Sequence, residues 1–158
     1  VREITQYADS VMCCLSKGLA APVGSILAGS AQFIATARRK RKQLGGGLRQ
    51  AGVLAAPGIL ALTEMVQRLP EDHQRAQRLA RALAELPGIS IDQQSVQINM
   101  VWMQLDASIN TQLLMQALTE AGIKANPPED GLMRLVTHWQ VNDESLVQIV
   151  SAFRKVCL

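Results

Sequence analysis

Lys17 stands where an amine can do carbonyl chemistry. In Ser10-Val11-Met12-Cys13-Cys14-Leu15-Ser16-Lys17-Gly18, an apolar run of strand character closes on a serine and delivers one lysine before a glycine. An amine taken out of water loses proton affinity, and its neutral form attacks a carbonyl carbon to give a Schiff base. The same residues also describe a solvated strand end, because lysine is seldom buried unless it is paired or used. Arg134, in Leu132-Met133-Arg134-Leu135-Val136-Thr137-His138, interrupts a second apolar strand. It either projects to solvent as an alternating position or brings a guanidinium to a carboxylate at the strand's inner face.

Two further stretches carry charge suited to an anion. Gly45-Gly46-Gly47-Leu48-Arg49 precedes an expected helix, and free backbone N–H groups at a helix N-terminus attract negative charge. Arg49 adds bidentate geometry. The spacing is not that of a P-loop, and a triglycine is also an ordinary loop. Arg38, Arg39, Lys40, Arg41 and Lys42 would neutralise phosphates of any nucleic acid, but on a helix they spread around the circumference with no aromatic platform beside them. A solvated face is the simpler reading, and one or two of these cations facing an anionic cofactor is the remaining one. His73 and His138 join no constellation with serine, cysteine or aspartate and read as structural or solvated.

The elements that must position these residues follow from periodicity. Val11 to Leu15 is expected as a fully buried strand and Val23 to Ala28 as its neighbour, with Lys17 in the turn between them. Ser30 suits the N-cap of a helix from Ala31 to about Gln43, ended by the triglycine. A second helix, Gln50 to about Leu69, is apolar nearly all round, and Pro57 should kink or divide it. Pro70-Glu71-Asp72 has the look of a new helix start, followed by Ala76, Leu79, Ala80, Leu83 and Leu86 at helical period, and Pro87-Gly88 stops it. Beyond lie short strands at Ser90 to Asp92, Gln97 to Leu105, Ile123 to Ala125 and Leu132 to Thr137, with alternation visible from Ser95 to Met103. Helices are expected from Thr111 to Ala121 and Asp143 to Val156, and Asn126 to Gly131 is the clearest turn.

Composition bounds the function classes. A chain of 158 residues is long enough to bury about 70% of its unfolded surface, and a 48% hydrophobic content with 3% aromatic implies a globular core packed by methyl groups. Sixteen Lys and Arg against thirteen Asp and Glu leave a net charge of +3, so the basic character is local and no nucleic-acid partner is expected. Cys13, Cys14 and Cys157 have no metal-ligand spacing and read as small core residues of a reducing compartment, the cytoplasm. The apolar segment Ala51 to Leu62 is too short to span a bilayer, and Val1 to Gln6 lacks the apolar region of a secretory signal, so no membrane partner is expected either. An opening without methionine suggests part of a longer chain.

Three blocks taken together resemble one family. They are Asp9-Ser10-x4-Leu15-Ser16-Lys17-Gly18-Leu19-x-Ala21-Pro22-Val23-Gly24-Ser25, Arg39-x-Arg41-Lys42-x2-Gly45-Gly46-Gly47-x-Arg49-Gln50-x-Gly52, and Arg134-Leu135-Val136-Thr137-His138. In order and spacing they closely resemble the low-specificity L-threonine aldolases, enzymes of the aspartate-aminotransferase-type fold that use pyridoxal 5'-phosphate. The resemblance implies that Lys17 binds the cofactor covalently, with Ser16 beside it. It implies that Lys42 and Arg49 are cations near the cofactor and its phosphate, in their own or a neighbouring subunit, and that Arg134 holds the substrate α-carboxylate. The implied reaction is retro-aldol cleavage of a β-hydroxy-α-amino acid to glycine and an aldehyde, acetaldehyde for threonine or allo-threonine.

The family's aspartate for the pyridine nitrogen, its stacking histidine and much of its phosphate cup precede the matching blocks, so the chain is expected to be a C-terminal portion, incomplete for catalysis alone. The implied fold class is α/β: residues 1–68 as the last strands and helices of the cofactor domain, 69–158 as a small α+β domain with an antiparallel sheet. A homo-oligomer, dimer or tetramer, is implied at full length, with no metal. Competing readings are another pyridoxal phosphate lyase of this fold, such as a β-eliminating lyase, and an inactive fragment that acts only by associating through the apolar Ala51 to Leu62 segment.

Overall fold

The computed structural model describes residues 2–158, which divide into two compact units, with the boundary between Gln67 and Arg68. The first unit opens with a single helical turn, α1 (Arg2–Thr5), followed by β1 (Ser10–Cys14) and β2 (Ser25–Gly29). The two strands form an antiparallel ribbon that places Ser10 opposite Gly29 and Cys14 opposite Ser25. Burial differs from expectation: β1 and β2 are largely exposed, and Cys13 lies on the surface with Cys14 half-buried. A two-stranded ribbon has no interior, and among the described residues of this unit no layer covers either of its faces.

Helix α2 (Ala31–Gln43) starts on Ser30 as its sequence requires, with the serine hydroxyl accepting from Phe33 N at 3.2 Å. Helix α3 (Gly52–Leu60) runs through Pro57 and passes into a π turn at Ala61–Met65, beyond which α4 (Val66–Ala84) resumes. The expected new start at Pro70 is absent, since Pro70 lies inside α4. Each proline removes one rung of the ladder, and the π turn between them is where the helix absorbs the mismatch without ending.

The second unit is a three-stranded antiparallel sheet in the order β3 (Ile89–Ser90), β4 (Met100–Leu105), β5 (Leu132–Val136), with helices α4, α5 (Thr111–Glu120) and α6 (Asp143–Cys157). β4 is shorter than its alternation suggested, because the chain bends at Gln97, Ile98 and Asn99 before pairing begins at Met100; Gln93–Ser95 turns as a 3-10 helix capped by Asp92, and Ile123 to Ala125 is not a strand. Alternation fixes the two faces of the sheet. Val101, Met103 and Leu105 on β4, with Met133 and Leu135 on β5, are buried against Leu79 and Leu83 of α4, Leu114 and Leu118 of α5, and Phe153 of α6. Met100, Trp102 and Gln104, facing Val136, Arg134 and Leu132 in register, point the other way and are exposed.

The helix ends are capped by their own sequence. Asn110 accepts from Gln112 N and Leu113 N at the start of α5, and Asn142 forms a reciprocal capping box with Ser145 at the start of α6. Asp143, in the first turn of α6, also meets two arginines of α4, Arg78 at 3.0 Å and Arg75 at 3.4 Å. The hydrogen bond from Arg78 is the main reason the Asp143 carboxyl titrates below the usual range, with Arg75 adding to it.

Two outcomes are expected. Phe153→Ala, which empties the centre of the α4–α5–α6 core, should lower unfolding free energy by about 3–5 kcal/mol, read from the urea midpoint. A depressed folded-state carboxyl stabilises above its unfolded value near pH 4 and loses that contribution as pH falls through the folded value. The native protein should therefore lose more stability than Asp143→Asn between pH 6 and pH 3, as measured by urea titrations at both.

Candidate functional site

Lys17 sits in the turn joining β1 to β2, and the backbone there is fixed on both sides. Leu15 N donates to Gly24 O at 2.9 Å, Ala21 N to Leu15 O at 3.0 Å, and Ala20 N to the carbonyl of Lys17 itself at 2.9 Å. Ala20 at φ 58 and Gly24 at φ 111 take the left-handed conformations that close so tight a path. Leu15, Leu19 and Ala21 are buried, and a Cβ placed on Gly58 would stand 3.3 Å from Leu15 Cδ1, so the turn is pinned where the backbone of α3 comes close. Between those anchors the Lys17 side chain is exposed rather than desolvated. Within this unit the lysine is held by its backbone, and among the unit's described residues no layer takes its amine out of water.

The triglycine has a different local role from the anion loop considered above. Leu44 N and Gly46 N donate to Lys40 O and Arg41 O at 3.0 and 2.8 Å, and Gly45 N to Lys42 O at 3.2 Å, so the turn caps the end of α2. Gly45 is left-handed at φ 88, and a Cβ on Gly46 would meet Arg41 Cγ at 2.7 Å and Arg41 O at 3.1 Å. The N–H groups of Gly45 and Gly46 are thus spent on α2, and α3 begins only at Gly52. Charge in this segment comes from side chains, with Lys42 and Arg49 both exposed. Among the described residues, neither they nor Lys17 has a carboxylate within ion-pairing distance.

Arg134 resolves to the outward alternative. It stands at the middle of β5 on the free face of the sheet, among the described residues it makes no ion pair, and its guanidinium carbon lies 5.3 Å from the centre of the Trp102 ring on β4. An open hollow of about 620 Å³ reaches from Arg134 to Lys124, Asn126, His138 and Gln140. His138 Nδ1 accepts from Gln140 N at 3.3 Å, which leaves Nε2 as the nitrogen free to carry a proton or meet a ligand.

The strand end beside His138 is fixed from below. Thr137 is buried, its hydroxyl donates to Asp72 O at 2.7 Å, and its N–H donates to Asn99 O at 2.9 Å. Asn99 Nδ2 returns a bond to Thr137 O at 2.8 Å. The Asp72 side chain, 1% exposed, is held by Arg68 through two bonds of 2.9 and 2.6 Å, and that carboxylate raises the Arg68 pKa. Sequence reading did not find Asp72, Asn99 or Thr137 as anchors of this strand end, or Trp102 as the neighbour of Arg134. Only Trp102 left a signal, as an aromatic at an outward position of an alternating strand. His73 joins no catalytic cluster, and among the described residues no group of His, Cys, Asp and Glu is placed to hold a metal ion.

The fold that carries the helix-backed sheet and the lysine-bearing ribbon recurs as part of longer solved structures. The solved structure of a protein from Exiguobacterium sp. 255-15, provisionally assigned as an aromatic amino acid beta-eliminating lyase/threonine aldolase, superposes with a TM-score of 0.78 at 21% identity, covering 98% of this chain and 46% of that one. The profile of the beta-eliminating lyase family matches residues 1–106, and the chain belongs to that family. The low specificity L-threonine aldolase of Escherichia coli K12 is 41% identical over 154 residues, covering 98% of this chain and 44% of the relative. Low-specificity L-threonine aldolase 1 of Arabidopsis thaliana is 38% identical over 160 residues, covering 100% and 45% respectively. The chain thus spans less than half the length of these curated relatives.

Thr137→Val keeps the shape of the buried side chain but leaves the Asp72 carbonyl short of a donor. It should cost about 1–2 kcal/mol. Hydrogen exchange should show faster opening from Thr137 to Val141, with the helix α5 amides unaffected.

Proposed function

We propose that the complete protein containing this chain is a pyridoxal phosphate-dependent aldolase that cleaves L-threonine and L-allo-threonine to glycine and acetaldehyde. The observation that carries this reading is the 41% identity to a threonine aldolase sustained over 98% of the chain. In this reading residues 1–68 close the cofactor domain and 69–158 form the small domain of a cytoplasmic homo-oligomer, without nucleic-acid or membrane partners. The exposed apolar side chains of Val53, Ile59 and Leu60 on α3 support burial of that helix in the assembled protein.

The donor set fits the cofactor. Pyridoxal phosphate needs an amine that can meet its aldehyde and cations for its phosphate, and Lys17, Lys42 and Arg49 are an exposed amine and two exposed cations that make no ion pair among the described residues. When bound, the cofactor supplies an electron sink for the bond broken at the substrate α-carbon. Lys17 would hold the cofactor through its amine, and Lys42 and Arg49 would offset the charge of its phosphate. Arg134 takes the α-carboxylate in a bidentate pair, which orients the α-carbon so that the Cα–Cβ bond is the one aligned for cleavage. A second reading, β-elimination, is favoured by the description of the matched family. The products separate the two, since aldol cleavage gives glycine and an aldehyde, and elimination gives a 2-oxo acid and ammonia.

Borohydride reduction of the complete protein with pyridoxal phosphate, followed by peptide mapping, should find the modification on Lys17. A label elsewhere, or none, defeats the cofactor assignment. Arg134→Ala should raise KM for threonine by about tenfold or more, and an unchanged KM removes its role.

A further inference from the structure

We propose that Trp102 is a positioning residue for Arg134, holding the guanidinium in the pose that receives a substrate carboxylate. The proposal rests on the assignment of that carboxylate to Arg134 and adds a residue to it. Register pairs Trp102 with Arg134 directly across β4 and β5, and the guanidinium carbon lies 5.3 Å from the indole centre. Both side chains are on the sheet's free face, Trp102 being 44% exposed, and no acidic side chain of the described residues pairs with Arg134.

An arginine on an open strand face has four side-chain torsions to fix before it can grip a planar anion. An ion pair would fix them but would also consume the N–H donors that the ligand needs. An indole face fixes them by attraction to the cation while leaving those donors unused. The neighbours on that face, Met100 opposite Val136 and Gln104 opposite Leu132, carry no charge, and the Gln104 amide is turned to the carbonyls of Leu105 and Asp130 rather than to the guanidinium. Trp102 is thus the residue that sets where Arg134 waits, while Arg134 makes the contact.

The test compares native protein, Trp102→Leu, Trp102→Phe and Arg134→Ala in the complete holoenzyme, by steady-state kinetics with threonine and by calorimetric titration with glycine. Trp102→Leu should raise KM and the glycine Kd together by roughly fivefold with kcat within about twofold of native, and Trp102→Phe should recover most of the loss. Trp102→Gln, suited to an exposed strand position, replaces Trp102→Leu if the latter fails to fold. If Arg134→Ala weakens substrate while the Trp102 variants leave KM and Kd native, the positioning role is overturned and the carboxylate assignment stands. If Arg134→Ala leaves KM native, the carboxylate assignment falls and the role of Trp102 with it. A parallel fall in kcat and thermal midpoint with unchanged KM marks Trp102 as structural and also overturns the proposal.

Discussion

The alternation of β4 and β5 is the constraint on which the second unit depends. Five apolar side chains from these strands, Val101, Met103, Leu105, Met133 and Leu135, are committed to a core shared with three helices. Their commitment leaves the intervening positions no choice of direction. Arg134 and Trp102 face outward because their neighbours must face inward. Hydrophobic burial, which is indifferent to chemistry, therefore aims the one cation that interrupts β5.

The first unit restrains Lys17 by a different means. Lys17 has no buried shell within this unit, yet Leu15, Leu19 and Ala21 around it are buried, and three backbone hydrogen bonds close the turn. The lysine is therefore a free side chain on a restrained backbone. The triglycine shows the same economy, since its N–H groups finish α2 and leave the charge of the segment to the side chains of Lys42 and Arg49.

Local signals were legible where they were self-contained. Ser30 and the limits of α2, the buried stripe from Ala76 to Leu86, the extent of α5 and α6, and strand β5 all follow from capping residues and periodicity that need no distant partner. Pro70 misled because a helix start and a tolerated interior proline look alike unless the π turn upstream is known. The burial of β1 misled for a related reason, as an apolar composition says that a strand is able to be covered and not what covers it. The family was readable from three spaced blocks, and the supports of the site were not. Asp72, Asn99 and Thr137 lie far apart in sequence and meet only through the fold, joining α4, the residue before β4 and the end of β5.

Gly131 bears on all of this through strand registry. At φ 77 it takes a conformation closed to most residues, a Cβ there would collide with Gln104 Nε2 and stand 3.0 Å from Leu105 O, and its carbonyl accepts from Leu105 N at 2.8 Å. The entry of β5 is thereby locked to the far end of β4. A slip of one residue would turn Met133 to solvent and drive the Arg134 guanidinium into the apolar core, exchanging an exposed cation for an unpaired internal charge. The glycine with no side chain of its own is what keeps the side chains of this sheet on their proper sides.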